Sequence, residues 1–187
     1  MKPRRLPRKF FLQPTLAVAK ALLGKYLVHE YKGQRLVGRI VETEAYIGMR
    51  DKAAHSYGGR RTKRNEVEYG PGGHVYIYMV YGLHYQLNFV TRGKDVPECV
   101  LIRALEPVEG LEGKTDGPGK LCKALHLDKA FYGVDLCARD SHLYLEERDN
   151  PVKPGEIRKG PRIGIDYAGP YWSRVNWRFF LKNISYI

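Results

Sequence analysis

"QRLVGRIVETEAYIG", residues 34–48, decides how the rest of the chain is read. It has the composition and length of a β-strand. Alternation places Ile40, Glu42, Glu44 and Tyr46 on one face and Val41, Thr43 and Ala45 on the other. On an ordinary exposed sheet face the two glutamates would be solvated, or paired with Arg39 or a neighbouring strand. The alternative is that two carboxylates and an aromatic ring share a face because they share a site.

Working outward, "KYLVHEY" reads as a second strand joined to the first by a turn at Lys32-Gly33. Before it, "PTLAVAKALLG" has Pro14 near a helix start, apolar spacing at Leu16, Ala19 and Leu23, and Gly24 in the C′ position. After the opening stretch comes a Gly/Arg-rich loop, "SYGGRRTKRN". "GGHVYIYMVYGLHYQLNFVTRG" then gives two strands about a tight turn at Tyr81-Gly82, and "ECVLIRALEP" gives another. "GPGKLCKALHL" reads as a helix with Leu121, Cys122, Leu125 and Leu127 on its apolar side. "SHLYLEER", "PRIGIDYAG" and "WRFFLKN" are expected as short strands or loops, and there is no internal repeat or low-complexity linker. The predicted class is α+β: a curved, mainly antiparallel sheet with helices packed around it and a protruding β-hairpin. A single domain over residues 1–187 is expected, opening with a basic arm at residues 1–9.

Composition limits what such a domain does. A chain of 187 residues closes a sizeable core, and 43% hydrophobic with 12% aromatic residues exclude a disordered chain. Lys and Arg number 32 against 20 Asp and Glu, a formal charge of +12, which points to a polyanionic partner. Cys99, Cys122 and Cys137 are too few and scattered for a disulfide framework and form no C-x-x-C zinc pair. No window approaches the roughly 18 apolar residues of a membrane span, and the run from Leu16 to Leu23 makes a poor signal peptide. The expectation is a cytoplasmic protein, nucleoid-associated if bacterial or nuclear if eukaryotic, with no metal and no cofactor.

In "HVYIYMVYGLHY", Tyr76 and Tyr78 share a face while Tyr81 falls at the hairpin tip beside Gly82. A ring at a hairpin tip has little core to enter. In a monomer it is chance, a partner contact or, in a basic protein, a wedge that fills the gap left by a flipped nucleotide.

The segments "RIVETEAYIG", "DKAAHSYGGRRTKRN", "YIYMVYGLHYQLN", "CVLIRALEP" and "GPGKLCKAL", in this order and at about this spacing, resemble the alkyladenine (3-methyladenine) DNA glycosylase family of base-excision repair enzymes. The resemblance runs over residues 16–180. It implies that Glu44 is the general base that deprotonates the water attacking C1′ of a flipped nucleotide. Arg103 and the main-chain carbonyl of Ile163 would help hold that water. Tyr46 would stack on one side of the extruded base, with His55 and Tyr78 on the other. Tyr81 would intercalate, and Asn88 would screen bases by their exocyclic groups. At His84, Tyr85 and Gln86 the chain departs from the more apolar or aromatic pattern of the family, which bears on substrate preference.

Chemistry agrees with those assignments. N-glycosidic hydrolysis passes through a sugar with oxocarbenium character, so one carboxylate beside C1′ both activates water and stabilises positive charge. Alkylated purines such as 3-methyladenine and 7-methylguanine carry delocalised positive charge and suit an electron-rich ring cage. Hypoxanthine and ethenoadenine complete the expected substrate class. Phosphate contacts are expected from Arg60, Arg61, Lys63 and Arg64 of the basic loop, with Lys120 at the head of the "GPGK" helix and Lys129 beyond it. The expected activity is monofunctional removal of damaged purines from double-stranded DNA, by a monomer, leaving an abasic site. A bifunctional glycosylase/lyase would need a lysine nucleophile in the pocket, and none lies in the motifs around Glu44. A non-catalytic RNA- or single-strand-binding module explains the charge and the rings, but gives Glu44 and Arg103 no task.

Overall fold

The computed structural model describes residues 4–148 and 151–182. Residues 1–3 of the basic arm and the last residue of "WRFFLKN" lie outside the described residues. The chain runs β1 (Arg4–Arg5), α1 (Arg8–Phe11), α2 (Thr15–Ala21), β2 (Tyr26–Tyr31), β3 (Gln34–Tyr46), β4 (Val75–Val80), β5 (His84–Thr91), β6 (Glu98–Glu109), α3 (Pro118–Ala124), β7 (Leu143–Glu147), β8 (Ile157–Gly160) and β9 (Arg178–Leu181). Every recorded strand pairing is antiparallel. The sheet order is β1-β7-β2-β3-β6-β5-β4, and β9 pairs with both β3 and β8. The α+β class and mainly antiparallel sheet follow from this arrangement.

The decisive strand is the longest. One edge of β3 pairs with β6 along most of its length. The other pairs with β2 over Gln34–Arg39 and then with β9 over Glu42, Thr43 and Glu44. The β2–β3 turn is the tight kind expected, with positive φ at both Lys32 (49°) and Gly33 (79°).

The simple alternation predicted along β3 is broken at one point. The β3–β6 register shifts between Ile40 and Glu42 and again between Glu42 and Thr43, so Val41 is an extra residue on β3 and Arg103 an extra residue on β6. Ile40 and Val41 consequently both join the main core, and the face shared by Glu42, Glu44 and Tyr46 does not reach back to Ile40.

Beyond the bulge the two faces separate cleanly. Val100, Ile102, Leu87, Phe89, Val75 and Ile77 pack with Val18, Ala19 and Leu22 around α2 and with Leu121, Cys122 and Leu125 around α3. Thr43 Oγ1 donates to the Ala19 carbonyl at 2.9 Å, tying β3 to α2 on that side. Helix α2 is shorter than predicted. It stops at Ala21, and Gly24 lies beyond it at φ 81°, where the Val152 side chain leaves no room for a Cβ. "PRIGIDYAG" contains no strand; it is loop with one 3-10 turn at Asp166–Ala168.

The described part of the arm is folded onto the sheet. Arg4 and Arg5 pair with β7, Arg4 bridges Glu147 at 2.8 Å, and Arg5 lies over the Tyr144 ring at 3.5 Å. Arg8 bridges Asp135 at 2.5 Å. Among the described residues no helix is long and apolar enough to cross a membrane.

Candidate active site

Strand register assembles the opposite sheet face. Glu44 pairs with Leu101 of β6, Leu101 with Asn88 of β5, and Asn88 with Tyr76 of β4. Directly paired residues point the same way. One row therefore carries Glu44, Leu101, Asn88 and Tyr76. Tyr46 with Cys99 lies on one side of it, Tyr78 with Gln86 on the other. Loops at residues 53–68 and 163–167 complete a cavity of about 620 Å³, lined among others by Tyr46, His55, Tyr78, Asn88, Arg103 and Ile163.

Glu44 lies beneath this cavity with no exposed surface. Its Oε1 accepts the Ile163 N–H at 2.9 Å and lies 3.4 Å from Arg103 Nη1, and its Oε2 accepts the Tyr46 hydroxyl at 2.9 Å. Burial raises its pKa, opposed first by Arg103, then by the Ile163 amide and the Tyr46 hydroxyl. Desolvation makes the carboxylate more basic while the Arg103 charge and two hydrogen bonds keep the ionised form accessible. Glu42 is also buried rather than solvated or paired with Arg39. It accepts from Arg103 Nε at 3.2 Å and from Arg178 Nη1 of β9 at 2.9 Å, while Arg39 goes to Glu106. The bulge at Arg103 places one guanidinium between two carboxylates.

The rings stand as a cage. His55 and Tyr78 meet edge-on with centroids 4.7 Å apart, and Tyr76 lies 5.1 Å from Tyr78. His55 Nδ1 is 2.6 Å from the Tyr76 hydroxyl. Burial, with Arg64 and Arg60 nearby, pushes the His55 pKa down to about 4, so its ring is neutral at pH 7. Tyr78 donates to Gln86 Oε1 at 2.9 Å, and Asn88 Nδ2 donates to the Tyr76 carbonyl at 3.1 Å. That bond fixes the Asn88 amide within the wall.

One pair was missed in the sequence. Arg162 and Asp51 have fully buried side chains and bond twice, at 2.5 and 2.9 Å. Arg162 also donates to the Ala45 carbonyl at 2.9 Å and lies 4.7 Å over the Tyr46 ring. It thereby fixes the segment that brings Ile163 to Glu44. Arg178 was missed too. The only sequence signal for either was proximity: Arg162 precedes Ile163 in "PRIG", and Asp51 opens "DKAAH".

Tyr81 and Gly82 turn the β4–β5 hairpin at φ 52° and 66°, and Tyr81 is 93% exposed with Leu83 at 77%. Arg64 Nη2 donates to the Met79 carbonyl at 3.2 Å and its guanidinium lies 5.1 Å over Tyr78, which braces hairpin against loop. Arg60, Lys63 and Lys129 are exposed, and no carboxylate pairs with them among the described residues. Arg61 is held by Glu66 at 2.6 Å and Asp95 at 3.1 Å, and Lys120 by Asp116 at 3.0 Å. At Gly119 helix α3 packs closely on β5, since a Cβ there would come within 2.9 Å of the His84 side chain.

Among the described residues no His, Cys, Asp or Glu group is arranged to hold a metal ion, and no lysine lines the cavity. Chemically, the arrangement offers a buried carboxylate of raised pKa beneath a cavity walled by aromatic side chains.

The family model described as methylpurine-DNA glycosylase matches residues 9–185. A protein of Desulfitobacterium hafniense (strain Y51) is 47% identical over 204 residues, covering 98% of each chain. One of Myxococcus xanthus (strain DK1622) is 47% identical over 184 residues, covering 97% of this chain and 92% of the other. One of Clostridium acetobutylicum is 44% identical over 198 residues, covering 95% and 94%. All three carry the name "Putative 3-methyladenine DNA glycosylase".

Proposed function

Because this chain belongs to the methylpurine-DNA glycosylase family, and is a DNA glycosylase acting on N-glycosyl bonds, we propose that it flips damaged purines from duplex DNA into the ring-lined cavity. There it hydrolyses the bond to C1′ with water activated by Glu44. The observation that carries this reading is Glu44 itself: a carboxylate with no exposed surface, held by two hydrogen bonds and an ion pair beneath a cavity of about 620 Å³.

Two carboxylate oxygens offer about four lone-pair sites. The Ile163 amide occupies a site on Oε1, with Arg103 as an ion-pair partner at 3.4 Å, and the Tyr46 hydroxyl occupies one on Oε2, which leaves lone-pair capacity for an attacking water. That water loses its proton to Glu44 as it adds to C1′, and the base departs with the bonding pair. The carboxylate stabilises the oxocarbenium character that develops at C1′ as the base departs ahead of the incoming water. Arg103 and the Ile163 main chain orient the water, with the Ile163 amide fixing Glu44 and its carbonyl serving the water. Glu42, neutralised by Arg103 and Arg178, acts by positioning Arg103.

The base lies between Tyr46 on one side and His55 with Tyr78 on the other, with Asn88 at its edge. Stacking worth roughly 1–3 kcal/mol per base offsets an extrusion cost of a few kcal/mol, which is lowest at damaged pairs. Tyr81 enters the gap left in the duplex. Arg60, Lys63, Arg64 and Lys129, joined by Arg61 and Lys120 once their carboxylate partners yield, hold the phosphates. Substrates on this reading are 3-methyladenine, 7-methylguanine, hypoxanthine and ethenoadenine, and the enzyme works as a cytoplasmic monomer.

Duplexes carrying single lesions, incubated without added metal, test this directly. Free base and an abasic site are expected, with no covalent adduct after borohydride. A trapped adduct would indicate a lyase. Tight single-strand binding with no base released would indicate a binding module.

A further inference from the structure

Glu68, on the 3-10 turn Glu66–Tyr69, lines the same cavity yet has no task in the reaction above. It is 1% exposed. Its Oε1 lies 3.5 Å from Cys99 Sγ, and that sulfur lies 3.9 Å from the Oδ1 of Asn88. Its Oε2 is buried with no hydrogen-bond partner. A buried carboxyl oxygen left unpartnered is costly, and such a group in a ligand cavity points to a partner supplied by the ligand.

We infer that Glu68 is a specificity-determining residue of the base pocket, a carboxyl that selects cationic alkylated purines over neutral ones. The inference rests on the cavity being the base site proposed above. Stacking on Tyr46, His55 and Tyr78 tolerates any purine face, and Gln86 and Asn88 are uncharged amides that read hydrogen-bonding edges. Glu44 is already held by two hydrogen bonds and an ion pair. Glu68 is the remaining acidic side chain lining the cavity, where the low dielectric leaves its attraction for a cation little screened.

Burial pushes the Glu68 carboxyl up to about 7, so both charge states lie within reach near neutral pH. The groups facing it are Asn65 and Tyr69 from its own segment, Cys99 from β6, Tyr76 and Tyr78 from β4, and Tyr132 beyond α3. None of these is a cation, although Arg64 and Arg103 line other parts of the cavity. A positively charged base therefore supplies the charge partner that Glu68 lacks among the described residues, whereas a neutral base gives its ionised form nothing to pair with.

The test compares single-turnover release of 7-methylguanine and hypoxanthine from matched duplexes by wild type, E68Q and E68M. E68Q keeps the shape and removes the charge, and E68M removes the polarity. The 7-methylguanine to hypoxanthine rate ratio should fall about tenfold in both, the factor that corresponds to one pKa unit of differential interaction. In wild type that ratio should rise as pH climbs from about 6 to about 8, through the region where Glu68 ionises, and in E68Q it should be flat. An unchanged ratio in E68Q, or a wild-type ratio indifferent to pH, overturns the inference while leaving the base-site reading intact. Release of neither base by wild type overturns that reading, and this inference with it. The wild-type pH profile stands even if a variant fails to fold.

Discussion

Glu44 and Tyr81 mark two regions built in opposite ways. Glu44 has no exposed surface and is fixed by a side chain from its own strand, a side chain from β6 and a backbone amide at residue 163. Tyr81 is 93% exposed at a hairpin tip, and the loop cations around Lys63 are likewise solvated. The first region meets its desolvation and ordering costs during folding, so donors stand in place before substrate arrives. On our reading the second region realises its free energy only on contact with DNA.

The sharpest way to break that contrast is E44Q. On our reading the substitution removes general-base catalysis, and turnover should fall by about 10²–10⁴-fold while lesion-duplex affinity stays within a few-fold. Rapid-quench base release and equilibrium binding on one duplex would separate the two quantities. Retained turnover would mean that the buried network is structural only.

Next in size is R162M, which strands Asp51 in a site with no exposure. Breaking a buried pair costs about 3–5 kcal/mol, so chemical denaturation should show a loss of that order. A smaller loss would argue that the site relaxes rather than standing preformed.

Y81A addresses the other region. Folding stability should hardly change for so exposed a ring, but affinity for a lesion duplex should drop by about 1–3 kcal/mol, the range for one aromatic stack. The smallest effect is expected from K63A, which should reduce the steepness of the log–log salt dependence by about 1 with no change in lesion preference. R61A should reduce it less, because Glu66 and Asp95 already compete for that side chain.

These expectations also measure what the sequence made legible. Two-residue periodicity is local, and beyond the bulge it grouped Glu42, Glu44 and Tyr46 correctly. Tyr76 and Tyr78 followed from the same rule. The bulge was invisible, because a register shift depends on both strands, and Ile40 was misplaced as a result. Arg103 stood out through family resemblance alone. Arg162 and Asp51 are 111 residues apart, so no spacing rule joins them. Glu68 lies on a 3-10 turn with no face to predict. The loop cations, Lys120 and Lys129 read as a uniform set of phosphate ligands, although the ion pairs of Arg61 and Lys120 divide them; Asp116 and Lys120, four apart, were the one such pair open to local reading.

The passage of β3 from β2 to β9 along one edge has a consequence for how the chain tolerates shortening. The strand that flanks Glu42, Thr43 and Glu44 is contributed by residues 178–181, and Arg178 supplies the second cation on Glu42. Without residues 178–181 the edge of β3 beside Glu42, Thr43 and Glu44 has no partner strand, and Glu42 loses one of its two cations. The most C-terminal described strand thus buttresses the two acids from the side opposite β6, so on our reading a chain shortened before residue 178 should lose activity more completely than its few missing residues suggest.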